Sequence, residues 1–213
     1  MSYSSNDITV FIFCHDGYAN PARTLDGLQV QTVTPGRIVI VDNGIEPALA
    51  LDPFFSARTG ASMALVRTPA ILPEGKRLNF AVDTCSSEIC MTIGADLIPP
   101  PDWVELLLLA LAPHCQCLAA KGSHIAGVGG RVSWLLPEEH QQDDNRFDLG
   151  RRPSTNPDAI NLDNAVFRMD FLRKVNGFAP DLAGADLARD LIQRLRREGG
   201  EVLYMPEIHC GRI

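Results

Sequence analysis

Short unbroken apolar runs alternate with amphipathic stretches along the first hundred residues, a pattern that predicts buried strands joined by helices. Ile8 to Phe13 is the first run and Arg37 to Val41 the second; a third lies near Ser62 to Val66 and a fourth from about Ile89 to Ile93. Between the first two, Leu25, Leu28 and Val30 mark the inner stripe of a helix, with Asn20 as its cap and Pro21 at its first position. Leu78, Val82 and Cys85 line one face of a second helix that begins near Pro73-Glu74. Strand and helix repeated in this order predict a doubly wound, parallel sheet.

The pattern changes after Pro99-Pro100-Pro101-Asp102. Trp103 to Ala112 is strongly apolar, and Leu106 to Leu109 predict a helix buried on most sides. Ile125 to Trp134 reads as a strand in which Gly127, Gly129 and Gly130 allow close backbone approach. Pro137 to Asp158 is mostly polar and long for a connection within one domain, which predicts a flexible flap. Order returns at Ala159 to Arg168, and a short helix from about Asp170 to Val175 closes at Asn176-Gly177. Leu187, Leu191 and Leu195 predict a last helix over Asp186 to Glu198, stopped by Gly199-Gly200. Glu201 to Met205 reads as a late strand and Glu207 to Ile213 as a short tail.

With 213 residues, 46% of them hydrophobic, the chain can bury the core of one large α/β domain. A net charge of −7 argues against nucleic acid as a partner, so any bound phosphate must be met by local Arg, Lys, backbone amides or a metal. No run approaches the length of a transmembrane helix, and the first residues lack the features of a signal peptide, which predicts a cytoplasmic protein. Peripheral contact with a membrane stays open. The six cysteines, at positions 14, 85, 90, 115, 117 and 210, have no zinc spacing and are expected to be buried apolar fillers. There is no glycine-rich phosphate loop of the Walker or dinucleotide type.

Candidate chemistry gathers at strand ends. Met91-Thr92-Ile93-Gly94-Ala95-Asp96 runs from an apolar strand into one carboxylate, at the carboxyl end where open α/β sheets bind ligands. Asp42 ends the second strand, and Asp16 lies in the loop after the first. Each candidate also has a plain structural role to weigh against it. Asp96 could cap its loop, Asp42 an Asx-turn with Gly44, and Asp186 the last helix, while Asp190 and His209 could simply be solvated.

Seven blocks, in order and covering nearly the whole chain, resemble the family 2 glycosyltransferases of the GT-A fold. Arg23 to Thr32 is similar to that family's "TLxSLxxQT" helix, and Ile38 to Gly44 to its "IIVVDNG" strand. Arg77-Leu78-Asn79 resembles "xRNxG", and Asp96 to Trp103 the metal strand with its "PPxDW" start. Asn164 to Arg168 and Val175 to Phe178 resemble "NxAFRR" and "GGF". Asp190 to Leu195 with Tyr204-Met205-Pro206 is similar to "DLxxRLRxxGxxIxYxP". The resemblance implies a single Rossmann-like GT-A domain, a mostly parallel twisted sheet flanked by helices. Residues 1–103 would be its nucleotide half and 104–213 its acceptor half, the flap covering the acceptor.

The resemblance also implies an activity. Members move a sugar with inversion from a nucleotide-diphospho-sugar, such as a UDP- or GDP-sugar, to an acceptor hydroxyl. Here the acceptor would be a glycan, a lipid-linked molecule or a small molecule. A carboxylate deprotonates the acceptor, and Mg2+ or Mn2+, which prefer oxygen ligands, offsets charge on the departing diphosphate. Carried over by position, Asp16, Asp42, Arg77 and Asn79 would contact the nucleotide, and Asp96 with His209 the metal. Asp186 would be the base, with Asp190 as its substitute. Two positions depart from the pattern. Gly94 stands where the metal motif has its first acid, and Leu187-Ala188 where the family has a Glu-Asp pair. They support a rival, a catalytically degenerate relative that serves as a sugar-nucleotide-binding or scaffold subunit. A nucleotidyltransferase is disfavoured, because Cys14 to Asn20 lacks a glycine-rich basic signature.

Overall fold

The computed structural model describes residues 3–14, 21–44, 49, 60–112, 124–135 and 151–212. The first half runs β1 (Ile8–Cys14), α1 (Ala22–Gln29), β2 (Arg37–Asp42), β3 (Ser62–Arg67), α2 (Glu74–Thr84) and β4 (Ile89–Gly94). The second half adds β5 (Leu97–Ile98), α3 (Trp103–Leu111), β6 (His124–Trp134), β7 (Ser154–Thr155), β8 (Asn164–Arg168), α4 (Met169–Lys174), α5 (Gly184–Arg197) and β9 (Gly200–Arg212).

Among the described residues these strands form one sheet in the order β3-β2-β1-β4-β8-β6-β9-β5, with β7 paired to β9. The block β3-β2-β1-β4 is parallel, as the alternating pattern predicts. The other half is mixed. β8 enters between β4 and β6, antiparallel to both, while β6 and β9 are parallel.

Every residue of β1 and of β4 is buried, so their side chains feed two cores. Ile8, Val10 and Ile12 pack on one face with Leu25, Leu28, Trp103 and Leu107, beneath α1 and α3. Phe11 and Phe13 point to the other face, with Leu78, Leu187, Leu191 and Leu195, beneath α2 and α5. This alternation is the two-residue period of a strand covered on both sides.

The structure corrects the expected stripes and tail. Val30 follows the end of α1 and is 61% exposed, outside the inner stripe. Leu107 is buried but Leu109 is 56% exposed, so α3 has a wet face despite its run of four leucines. The expected late strand and tail form one strand, β9, that passes through Pro206. Its register against β6 jumps from Met205 to His209, leaving Pro206 in an irregularity where a missing N–H costs no ladder bond. Cys14, Cys85, Cys90 and Cys210 are free and buried, as expected of fillers. Cys115, Cys117, Asn20 and residues 137–150 of the expected flap lie outside the described residues, while Ser154–Thr155 of that flap form β7 against β9.

Asn164 ties the halves together. Its Oδ1 accepts from the Trp103 indole at 2.8 Å, and its Nδ2 donates to Arg131 O at 2.9 Å and Ile208 O at 3.1 Å. One buried amide thereby joins β8, α3, β6 and β9. Asn164→Ala leaves those buried groups unsatisfied and is expected to lower stability by about 2–3 kcal/mol, measured by urea denaturation.

Candidate functional site

Parallel register brings the carboxyl ends of β1, β2 and β4 to one edge. Cys14 pairs with Asp42, and Phe13 with Gly94. Asp42 is buried there, accepting from the Leu49 N–H at 3.2 Å and facing Arg67 at 3.8 Å. The turn that follows is held by its neighbours. Asn43 exchanges two hydrogen bonds with Leu72, and Gly44 takes φ +70° against Ala70.

Arg77, on the first turns of α2, reaches the same edge. Its guanidinium lies 5.4 Å from the Phe13 ring centroid, within cation–π range. The residue is 7% exposed, and its Nε has no hydrogen-bond partner. Burial, and then the Asp42 charge, push the Cys14 thiol up to about 12, against the pull of Arg77. Asp42, Cys14 and Arg77 thus share one electrostatic neighbourhood.

The loop that carries Asp96 is braced from α1. Thr24 donates to the Leu97 carbonyl at 2.7 Å. Gln31 donates to Pro100 O at 2.6 Å and accepts from Val104 N–H at 2.9 Å, clamping the proline run and the start of α3. Asp96 faces inward, with its Oδ2 2.6 Å from Arg212 Nε, and Asp163 approaches the same guanidinium at 3.9 Å. A Cβ at position 94 would lie 2.6 Å from Asp96 Oδ1, so the glycine makes room for the inward carboxylate.

A divalent ion fits this arrangement poorly, because a guanidinium already engages Oδ2 of Asp96 and an ion there would meet its positive charge. No cluster of three or more His, Cys, Asp or Glu able to hold a metal occurs among the described residues. His209 has a contact of its own. Its Nε2 lies 2.6 Å from Ser133 Oγ, and its strand neighbour is Arg131.

The other candidates are scattered. The Asn79 amide exchanges hydrogen bonds with the backbone N–H and carbonyl of Phe178, bracing α2 against the turn after α4. Asp186 is on the first turn of α5, its side chain 75% exposed and paired with Arg189. α5 begins beside α2, since Gly184 N–H donates to Glu74 Oε2 at 2.7 Å. Asp186 therefore stands at the same end of the sheet as Arg77. Asp190, one turn on, holds Arg194, which in turn donates to the carbonyls of Val175 and Gly177. Leu187 and Ala188 are fully buried. Asp16 lies outside the described residues.

Arg212 and Asp163 are the residues that sequence reasoning missed. Arg212 reaches Asp96 because β9 continues past Pro206 and pairs with β5, Leu97 opposite Arg212. Reading the tail as strand would have placed that cation beside the loop.

Compared by sequence, the chain matches no protein-family model and no curated protein. Compared by structure, it superposes on the mannosyltransferase PcManGT of Pyrobaculum calidifontis, solved with GDP-Man and Mn2+, with TM-score 0.66 and 17% identity over 99% of this chain. GalNAc-T7, solved with UDP, GalNAc and Mn2+, gives 0.71 at 14% identity over 98% of the chain. TarS of S. aureus, residues 1–349, gives 0.64 at 11% identity over 94%. The fold is GT-A. This GT-A chain spans 57%, 44% and 60% of those three structures respectively. No helix among its described residues is long and apolar enough to cross a membrane.

Burial, reinforced by the Arg131 charge, lowers the His209 pKa from its ordinary 6.5. The unfolded chain therefore binds the proton more readily than the folded one. This contribution to stability is complete above pH 6.5 and is lost as pH falls toward the lowered folded value. Chemical denaturation across that window is expected to show the loss in the wild type and a smaller one in His209→Gln.

Proposed function

We propose that the chain binds a nucleotide-diphospho-sugar, UDP- or GDP-linked, across the carboxyl ends of β1, β2 and β4. It then transfers the sugar with inversion to an acceptor hydroxyl, as a cytoplasmic family 2 glycosyltransferase. The observation that carries this reading is Arg77. A guanidinium held over Phe13, with Nε unpartnered, is a costly arrangement for structure alone and a suitable one for a phosphate or a base edge. Asp42, buried beside it, is a carboxylate that can accept from the N–H edge of uracil or guanine.

Residues 1–103 would hold the nucleotide and residues 104–213 the acceptor, whether glycan, lipid-linked or small molecule. Asp186 is the base in this reading. It lies on the first turn of α5, and its exposed ion pair with Arg189 gives way cheaply to a substrate. Asp190 has a structural task, holding Arg194. Asn79 acts by setting α2, and through it Arg77. The Mg2+ or Mn2+ expected at Asp96 and His209 draws support from the Mn2+ in two neighbouring structures, but Asp96 is already matched with Arg212.

A second reading has its own observation. Leu187 and Ala188 fill the core where the family resemblance calls for acids, which favours a subunit that binds the donor without transferring sugar. Calorimetry with UDP and GDP tests the site. Arg77→Ala and Asp42→Ala are each expected to weaken binding by about tenfold or more; unchanged affinity in both would contradict it. Donor turnover with acceptor extracts then separates the two readings. Asp186→Asn is expected to keep nucleotide affinity while reducing transfer by about 100-fold, whereas a wild type that binds and never transfers fits the second reading.

A further inference from the structure

We infer that Arg212 takes the place of a divalent metal at this site, so that the donor diphosphate is held by a guanidinium and its binding is metal-independent. The inference rests on the nucleotide-sugar reading above and concerns how that same site meets phosphate. Three features point the same way.

First, Arg212 Nε is 2.6 Å from Asp96 Oδ2, and Arg212 Nη2 is 3.9 Å from Asp163 Oδ2. An Mg2+ ion would bind those oxygens at about 2.0–2.1 Å. It would then press its two positive charges against a guanidinium that stays protonated at any working pH. The two cations compete for the same carboxylates, and the arginine is covalently held in place by β9.

Second, position 94 is glycine, and the inward turn of Asp96 depends on it, since a Cβ there would meet Asp96 Oδ1 at 2.6 Å. Position 94 lacks the first acid of the family pattern, and β9 adds a fixed cation that faces Asp96 closely and Asp163 at longer range.

Third, a guanidinium meets phosphate and carboxylate with the same planar fork. An incoming diphosphate can share Arg212 with Asp96 and displace Asp163 from its longer contact. Asp163 is the more exposed of the two acids, 23% against 2% for the side chains, so the approach lies on its side.

Calorimetry with UDP and with GDP, each in EDTA and in Mn2+, is the test, alongside electron paramagnetic resonance of Mn2+ added to the protein alone. The expected result is a Kd that agrees within about threefold between EDTA and Mn2+, with the added Mn2+ remaining free. Arg212→Gln should weaken nucleotide binding at least about tenfold, and Arg212→Lys, which keeps the charge, should weaken it less. Should Arg212→Gln fail to fold, the wild-type comparison in EDTA and Mn2+ decides by itself. Binding that appears only with Mn2+, or Mn2+ captured by the protein alone, overturns this inference and leaves the nucleotide reading standing. A folded Arg212→Gln that binds as tightly as wild type does the same. Binding of neither nucleotide under either condition overturns both.

Discussion

A carboxylate this deeply buried needs a partner, and in this chain a partner of Asp96 arrives from the far end of the sequence. Breaking a buried pair by removing one member typically costs about 3–5 kcal/mol, because the other charge is left stranded. The contact between Asp96 and Arg212 therefore constrains much around it. It sets how far the loop after β4 turns inward, and it goes with a glycine at position 94. It also accompanies the pairing of β5 with the last residues of β9. The ligand edge of the parallel block and the mixed half of the sheet meet at this contact.

Much of the family resemblance is structural bracing rather than chemistry. Thr24 and Gln31 hold the proline run, and Asn79 holds the turn at Phe178. Asn164 gathers four elements about one amide. A chain can keep these residues to preserve its backbone, whatever its activity, so they speak to fold. Function has to be argued from the site. There Arg77 is the informative residue, because its buried Nε has no hydrogen-bond partner in the structure that carries it.

The parallel block was legible because its runs are buried on both faces and spaced by amphipathic helices, a local pattern. Ile8 to Phe13 and Ile89 to Ile93 read as strands for that reason. The second half was harder to read. β8 inserts antiparallel between β4 and β6, and no short-range pattern states which strand will be a neighbour. Pro206 disguised the continuity of β9, since proline ordinarily argues against a strand interior. That concealed Arg212, while His209, a candidate by its place in the family pattern, sits with Ser133. The candidate base divided in a similar way. Asp186 and Asp190 lie one helical turn apart and look alike in sequence, yet only Asp190 is taken up by an arginine that props a neighbouring turn.

On the proposal above, a fixed guanidinium, rather than an ion, meets the diphosphate at the end of β4. A crystal structure grown with UDP or GDP in the presence of Mn2+ examines it most directly. The expected result is phosphate oxygens against the Arg212 fork, with Asp96 still paired to it and no metal between them. A manganese ion bridging Asp96 and the diphosphate, with Arg212 turned away, would contradict it.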